Sequence, residues 1–172
     1  ELPPMPEAYT RLCQALRSPE ASLAEVGQII ESDVAMTAKM LQLVNSAFFG
    51  LRQHVSTGAQ AASYLGVDTL KTLVLMIGLF SHAENMTLPA QFSPESLRRH
   101  SMTVGRYARL ICESQGVSKD LVNDAYTAGV LHDAGALVLA TGCPGDYANA
   151  HDYAFMNAVT LTEAETDTLG CT

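Results

Sequence analysis

The chain is predicted to be all-α, and three features of its 172 residues predict it. Apolar residues recur three and four positions apart along most of its length. Ser, Thr or Asp stand where those runs begin, and Gly, Asn or Pro where they end. No stretch shows the apolar–polar alternation of a half-buried strand. With 48% hydrophobic residues the chain can build a core without disulfides or metal. The length suits one domain or two closely packed helical lobes.

The opening Leu2-Pro3-Pro4-Met5-Pro6 reads as an extended lead-in, because proline fixes φ and offers no N–H. A helix follows from about Glu7 to Arg17. Ser22 with Glu25 three residues later is a capping-box signature, which starts a helix towards Glu31. Asp33 caps the next helix, where Met36, Met40, Leu43 and Val44 share a face, and Asn45-Ser46 ends it with Gly50 just beyond. Ser56 or Thr57 opens a short helix through Ala61, Ala62 and Leu65, stopped by Gly66. After Asp68, Leu70, Leu73, Val74, Ile77 and Phe80 lie on one face, while Leu75, Met76 and Leu79 are apolar on the other. That pattern predicts a central helix covered all round.

Glu84 to Phe92, with Pro89, is the predicted joint between two lobes. Ser93-Pro94-Glu95 then starts a helix running to about Gln115 and ended by Gly116. Ser118 caps another through Leu121, Ala125 and Ala128 to Leu131. A helical turn or two covers Gly135 to Ala140, broken by Gly142-Cys143-Pro144-Gly145. The tail holds Tyr147 to Ala158 and a short acidic segment from Thr162, to which the spacing assigns no element. The expected organisation is one domain, with residues 1–88 as an N-terminal helical lobe and 93–172 as a second lobe.

A formal net charge of -8, from ten basic and eighteen acidic residues, disfavours nucleic acid as a partner. The one basic cluster, Arg98, Arg99, Arg106 and Arg109, reads as a solvated helix face. Cys13, Cys112, Cys143 and Cys171 form no C-x-x-C pair and no zinc spacing, so a reduced cytoplasmic setting is expected. The chain opens at Glu1 with no signal peptide, as a fragment of a longer protein would. Its longest uninterrupted apolar stretch, Leu73 to Phe80, is too short to cross a bilayer, and no membrane role is expected.

Three residues can carry chemistry: His100, His132 and Asp133. Imidazole and carboxylate together suit Mn, Fe or Zn, and carboxylates also suit Mg. Such an ion can polarise a phosphoryl oxygen and acidify a bound water. On its helix His100 shares a face with Leu97 and Val104, and His132 follows Ala128 by four. The small residues Ala125, Ala128 and Gly129 would let two helices approach, so both histidines can reach one inter-helix space. The same residues also suit a structural role, since buried polar groups ordinarily satisfy one another or tie helix ends.

The segment Ala128-Gly129-Val130-Leu131-His132-Asp133-Ala134-Gly135 resembles the signature of the HD metal-dependent phosphohydrolase superfamily, and the helix around His100 is similar to the one supplying its first histidine. Ile30 to Leu41, followed by Val44-Asn45-Ser46-Ala47 and by Tyr64-Leu65-Gly66, resembles the hallmark of the HDOD family more specifically. The similarity runs from Leu2 to about Leu139. Glu163-Ala164-Glu165 with Leu169-Gly170 faintly resembles the family's next segment, so the domain is expected to be truncated at its C-terminal end. The resemblance implies a two-lobed helical module in which an N-terminal bundle precedes a partial HD-like lobe. It also implies a role in bacterial two-component or related signalling, with an attached response-regulator receiver or sensor domain or another protein as partner.

Departures from active relatives are visible. Ala136 stands where HD-GYP enzymes usually carry Lys, His151 stands alone, and Asp146 and Asp152 match no family ligand. No catalytic residue, metal or cofactor is therefore expected. Asp133 would help cap or tie the helix junction, and His132 would hydrogen-bond across the lobe interface. The alternative is a residual metal-dependent phosphohydrolase acting on cyclic nucleotides or phosphate esters, with His100, His132 and Asp133 holding Mn, Fe, Mg or Zn.

Overall fold

Side-chain oxygens at the predicted caps start the helices. The computed structural model describes residues 7–15, 22–46, 49–83 and 86–170, except for the side chains of 7–9, 13 and 82. Within them lie α1 (Glu7–Ala15), α2 (Leu23–Glu31), α3 (Val34–Val44), α4 (Gly58–Ala83), α5 (Pro94–Ser114), α6 (Lys119–Leu131), α7 (Ala134–Gly142), α8 (Pro144–Asn157) and α9 (Leu161–Leu169). No strand occurs among the described residues, and the fold is all-α. The extended lead-in, the predicted end of the first helix at Arg17, and Cys171 fall outside them, as does the start of the joint at Glu84.

Ser22 accepts from the N–H of Glu25 at 3.1 Å, Asp33 from Met36 at 2.8 Å, Ser93 from Ser96 at 3.2 Å and Ser118 from Leu121 at 3.3 Å. Each bond satisfies one of the donors a helix start leaves unpaired. Beyond α3, the Asn45 amide donates to the carbonyls of Leu41 (2.9 Å) and Val55 (2.7 Å), and its oxygen accepts from the N–H of Val55 (2.8 Å). One side chain thus ends α3 and holds the loop that leads to α4.

Gly66 (φ 77, ψ 163) is non-helical and divides α4 into two helical segments across a kink, at the predicted stop. Glycine tolerates the positive φ there, and the chain resumes helical geometry directly after it. The carboxylate of Asp68 receives the Asn123 amide of α6 at 3.1 Å, fastening α4 to α6. Beyond the kink, Leu70, Leu73, Val74, Met76 and Ile77 are buried, and Leu75 lies on the open side. Together they form the middle of a hydrophobic cluster with Leu12, Val26, Ile30, Met36, Met40 and Val44, joined by Met102, Tyr126 and Val130 from α5 and α6. Burying each such side chain contributes about 1.5–3 kcal/mol before conformational entropy is set against it.

The uninterrupted run Leu73–Phe80 is short, but with the segment before the Gly66 kink it makes Gly58–Ser81, 24 residues with a mean hydropathy of 1.4, long and apolar enough to cross a membrane by length and composition only. Its buried face packs against α2, α3 and α6, which accounts for that apolarity within the fold.

The last two helices lie where the spacing assigned nothing. The Gly142–Gly145 break is real but lasts one residue: Cys143 is non-helical (φ -140, ψ 61), and Pro144 opens α8 directly. Before α9, the Thr160 hydroxyl accepts from the N–H of Glu163 at 3.2 Å, and the Glu163 carboxylate accepts from the N–H of Thr160 at 2.8 Å. That capping box draws the Glu163 carboxyl below its ordinary range, chiefly through the backbone bond.

Arg109 departs from the solvated face expected of the arginine cluster. Its guanidinium lies 4.0 Å from the Tyr126 ring centroid and donates to Thr69 Oγ1 at 2.9 Å. Tyr126 is 2% exposed and its hydroxyl has no hydrogen-bond partner. Burial pushes its pKa up to about 12, against a smaller opposing pull from Arg109. The folded pKa exceeds the unfolded one, so the associated stability is intact below about pH 10 and falls as pH rises towards about 12. Tyr126→Phe should therefore lose less stability than the parent over that interval, read as urea midpoints across it. Parallel decline in both proteins would show that Tyr126 does not titrate there.

Candidate functional site

The α5–α6 crossing places the histidines. A Cβ on Gly129 would sit 2.7 Å from the Cα of Gly105, and one on Gly105 would sit 2.5 Å from Val130 Cγ2. The two backbones therefore touch, as only glycines permit. Gly129 was among the small residues expected at the approach; Gly105 is its counterpart, whereas Ala128 faces solvent. The connection from α5 to α6 is short and reverses the chain, so His100, before Gly105, and His132, after Gly129, lie at the same end of the pair.

All three candidate residues meet there. Asp133 Oδ2 lies 3.0 Å from His132 Nε2 and 3.5 Å from His100 Nε2, and the imidazole centroids are 5.1 Å apart. One ligand atom from each residue falls within 4.8 Å of the others, so the trio can hold a metal ion. The side chains are 56%, 34% and 44% exposed for His100, His132 and Asp133, which leaves the cluster open to water.

His132 and Asp133 differ in part from their expected roles. His132 Nδ1 lies 2.7 Å from the Gly129 carbonyl of its own helix, rather than bonding across lobes. A carbonyl only accepts, so Nδ1 carries the proton and Nε2 faces Asp133. Nε2 then presents either the second N–H of an imidazolium or a lone pair, and a backbone bond on the other nitrogen is the usual support of a metal-bound histidine. Asp133 occupies the N-cap position of α7, yet its side chain makes no capping bond. Its carboxylate turns to the imidazoles, while its carbonyl accepts from Ala136 at 3.1 Å.

The cluster opens onto a cleft of about 740 Å³ between the start of α5, α7 and the α8–α9 pair. Leu97, Val138, Leu139 and Leu161 give it apolar walls, and Ala136 lines it as well. Tyr147 and His151, four apart on α8, and Glu165 of α9 face it from the other side. The His151 ring stands edge-on to Tyr147 (4.9 Å, 86°), and its Nε2 is buried without a hydrogen-bond partner. Burial first, then Glu165 and Asp133, push the Tyr147 hydroxyl well above its ordinary range. Asp152 sits nearby, accepting from Gln91 at 3.0 Å. The sequence gives no family context for His151 and no role to Glu165; helical registration from Pro144 and from Thr160-x-x-Glu163 is the signal that brings both to the cleft.

The HDOD domain family model matches residues 2–172. The chain belongs to the HDOD family. Three solved structures share its fold. An HDOD domain protein of unknown function from Geobacter sulfurreducens has a TM-score of 0.78 at 27% identity, over 100% of this chain and 56% of its own. A Marinobacter aquaeolei VT8 protein, provisionally named for signal transduction, gives 0.76 at 24% identity over 99% of this chain and 38% of its own. A Shewanella amazonensis SB2B protein, provisionally named a phosphohydrolase, gives 0.75 at 24% over 99% and 58%. The HDOD chain thus spans less than two thirds of each of these proteins, and the two at 24% identity speak to the fold alone.

Proposed function

We propose that this HDOD domain is a non-enzymatic output module of cytoplasmic signal transduction, which works by binding a partner protein or an attached receiver or sensor domain. The observation that carries this reading is Ala136. It lines the cleft immediately beyond His132-Asp133-Ala134-Gly135, where the resemblance to active relatives calls for Lys, and a methyl group supplies neither charge nor proton to a phosphoryl group. The three ligands beside it are all partly open to water, and of the three only His132 has a backbone bond behind its ring, so the set would hold a metal weakly. What the cleft does offer is apolar wall, suited to a protein segment.

A second reading is favoured by the Nδ1 contact of His132: the trio is oriented as metal ligands are, and fits Mn, Fe, Mg or Zn in a residual phosphohydrolase. A divalent ion bound there would supply a polarised phosphoryl oxygen and an acidified water. His100, His132 and Asp133 would hold it, and the cleft would admit the ester. One experiment separates the two. Chelator-stripped protein, given each of the four metals in turn with a cyclic dinucleotide or bis(p-nitrophenyl) phosphate, should release product no faster than buffer. Metal-dependent turnover that disappears in His132→Ala would overturn the non-enzymatic reading.

A further inference from the structure

We infer that the cleft beside His132 and Asp133 receives a Lys or Arg side chain borne on an apolar segment of the partner protein. This rests on the partner-binding reading above and names the chemistry of that partner. The charged groups that line the cleft carry it. Asp133 faces the space from the α6–α7 turn and Glu165 from α9, and no Lys or Arg among the described residues lines it. Both carboxylates line the same cleft as the Tyr147 ring.

A cation with an aliphatic stem satisfies both halves of this surface. The stem packs along Leu97, Leu139 and Leu161, while the head donates charge-assisted hydrogen bonds to the two carboxylates. His151 Nε2, buried and without a partner, adds one polar atom to the wall. An acidic ligand would meet Asp133 and Glu165 with no opposing Lys or Arg, a like-charge juxtaposition that disfavours it. The net charge of -8 steers basic segments towards the domain, and the cleft gives them somewhere to seat.

The test uses the full chain in chelator-containing buffer and fluorescence anisotropy with three labelled peptides of alternating leucine and a second residue: arginine, glutamine or glutamate. The arginine peptide should bind, and the other two at least about tenfold more weakly. Glu165→Gln should weaken that binding about tenfold, Glu165→Asp should largely keep it as a charge-retaining folded control, and Asp120→Asn, at the far end of α6, should change it little. Equal losses from Glu165→Gln and Asp120→Asn would reveal unspecific attraction and overturn the proposal. So would arginine and glutamate peptides that bind alike, or an arginine peptide that does not bind. In that last case the partner-binding reading stands unless metal-dependent hydrolysis has been found, so the two failures are distinguishable.

Discussion

Gly129→Val is expected to cost about 3–5 kcal/mol of stability, and Gly129→Ala about 2 kcal/mol. The atoms a new Cβ would strike are the Cα of Gly105 at 2.7 Å, its nitrogen at 2.9 Å and the carbonyl carbon of Val104 at 3.2 Å. All three are backbone, so no rotamer change relieves the clash and α5 must move as a body. Alanine recovers about 1 kcal/mol of helix propensity over glycine, which is why its net cost is the smaller. Valine adds two more carbons at the same contact. Urea midpoints of the three proteins measure the series. Because the crossing also sets the separation of His100 from Asp133, a folded Gly129→Ala should disturb the imidazole resonances of both histidines. A valine variant within 1 kcal/mol of the parent would mean that the helices do not cross there.

How much of this was legible in the sequence differs by region, for physical reasons. Helix starts carried by one side-chain oxygen, at Ser22, Asp33, Ser93 and Ser118, lie where the sequence places them, because a cap is a local bond with a fixed spacing. The meeting of His100, His132 and Asp133 was also within reach, since heptad-like faces and a short connection leave few ways to arrange two helices. What the side chains do within the cluster was not. Whether Asp133 caps α7 or turns to the imidazoles depends on a competition between a helix-end N–H and two ring nitrogens at 3.0 and 3.5 Å, which no spacing encodes.

The far wall of the cleft was missed for a different reason. Gly142-Cys143-Pro144-Gly145 contains both Gly and Pro, which end helices, and Pro144 is equally at home at the first position of a new one. Once that proline is read as a start, Tyr147 and His151 fall on one face. The Thr160-x-x-Glu163 box then brings Glu165 to the same space. The arginine cluster shows the converse error. Arg109 shares its helix with exposed Arg99 and Arg106, but the Tyr126 ring opposite draws it inward, a tertiary contact invisible along one helix.

Asn45→Ala is expected to lower stability by about 3 kcal/mol, a large effect for one partly buried polar side chain. Three bonds disappear together: to the carbonyls of Leu41 and Val55, and from the N–H of Val55. Val55 is 0% exposed, so water cannot easily replace the amide at either of its backbone groups, and an unsatisfied buried group costs about 1–3 kcal/mol. Asn45→Asp sharpens the case. Aspartate is isosteric and keeps the acceptor for the Val55 N–H, but it loses the donor and directs a carboxylate oxygen at two carbonyls. It should therefore rescue little of the alanine loss near neutral pH, and regain stability as acid protonates the carboxyl and restores a donor. Thermal melts of both variants from about pH 7 down to pH 4 measure this, and an aspartate variant as stable as the parent near pH 7 would remove the donor from the account. A requirement for an amide, met by neither a methyl nor a carboxylate, is what the Val44-Asn45-Ser46 turn imposes: it must end α3 and hold the strandless loop before α4 with the same two atoms.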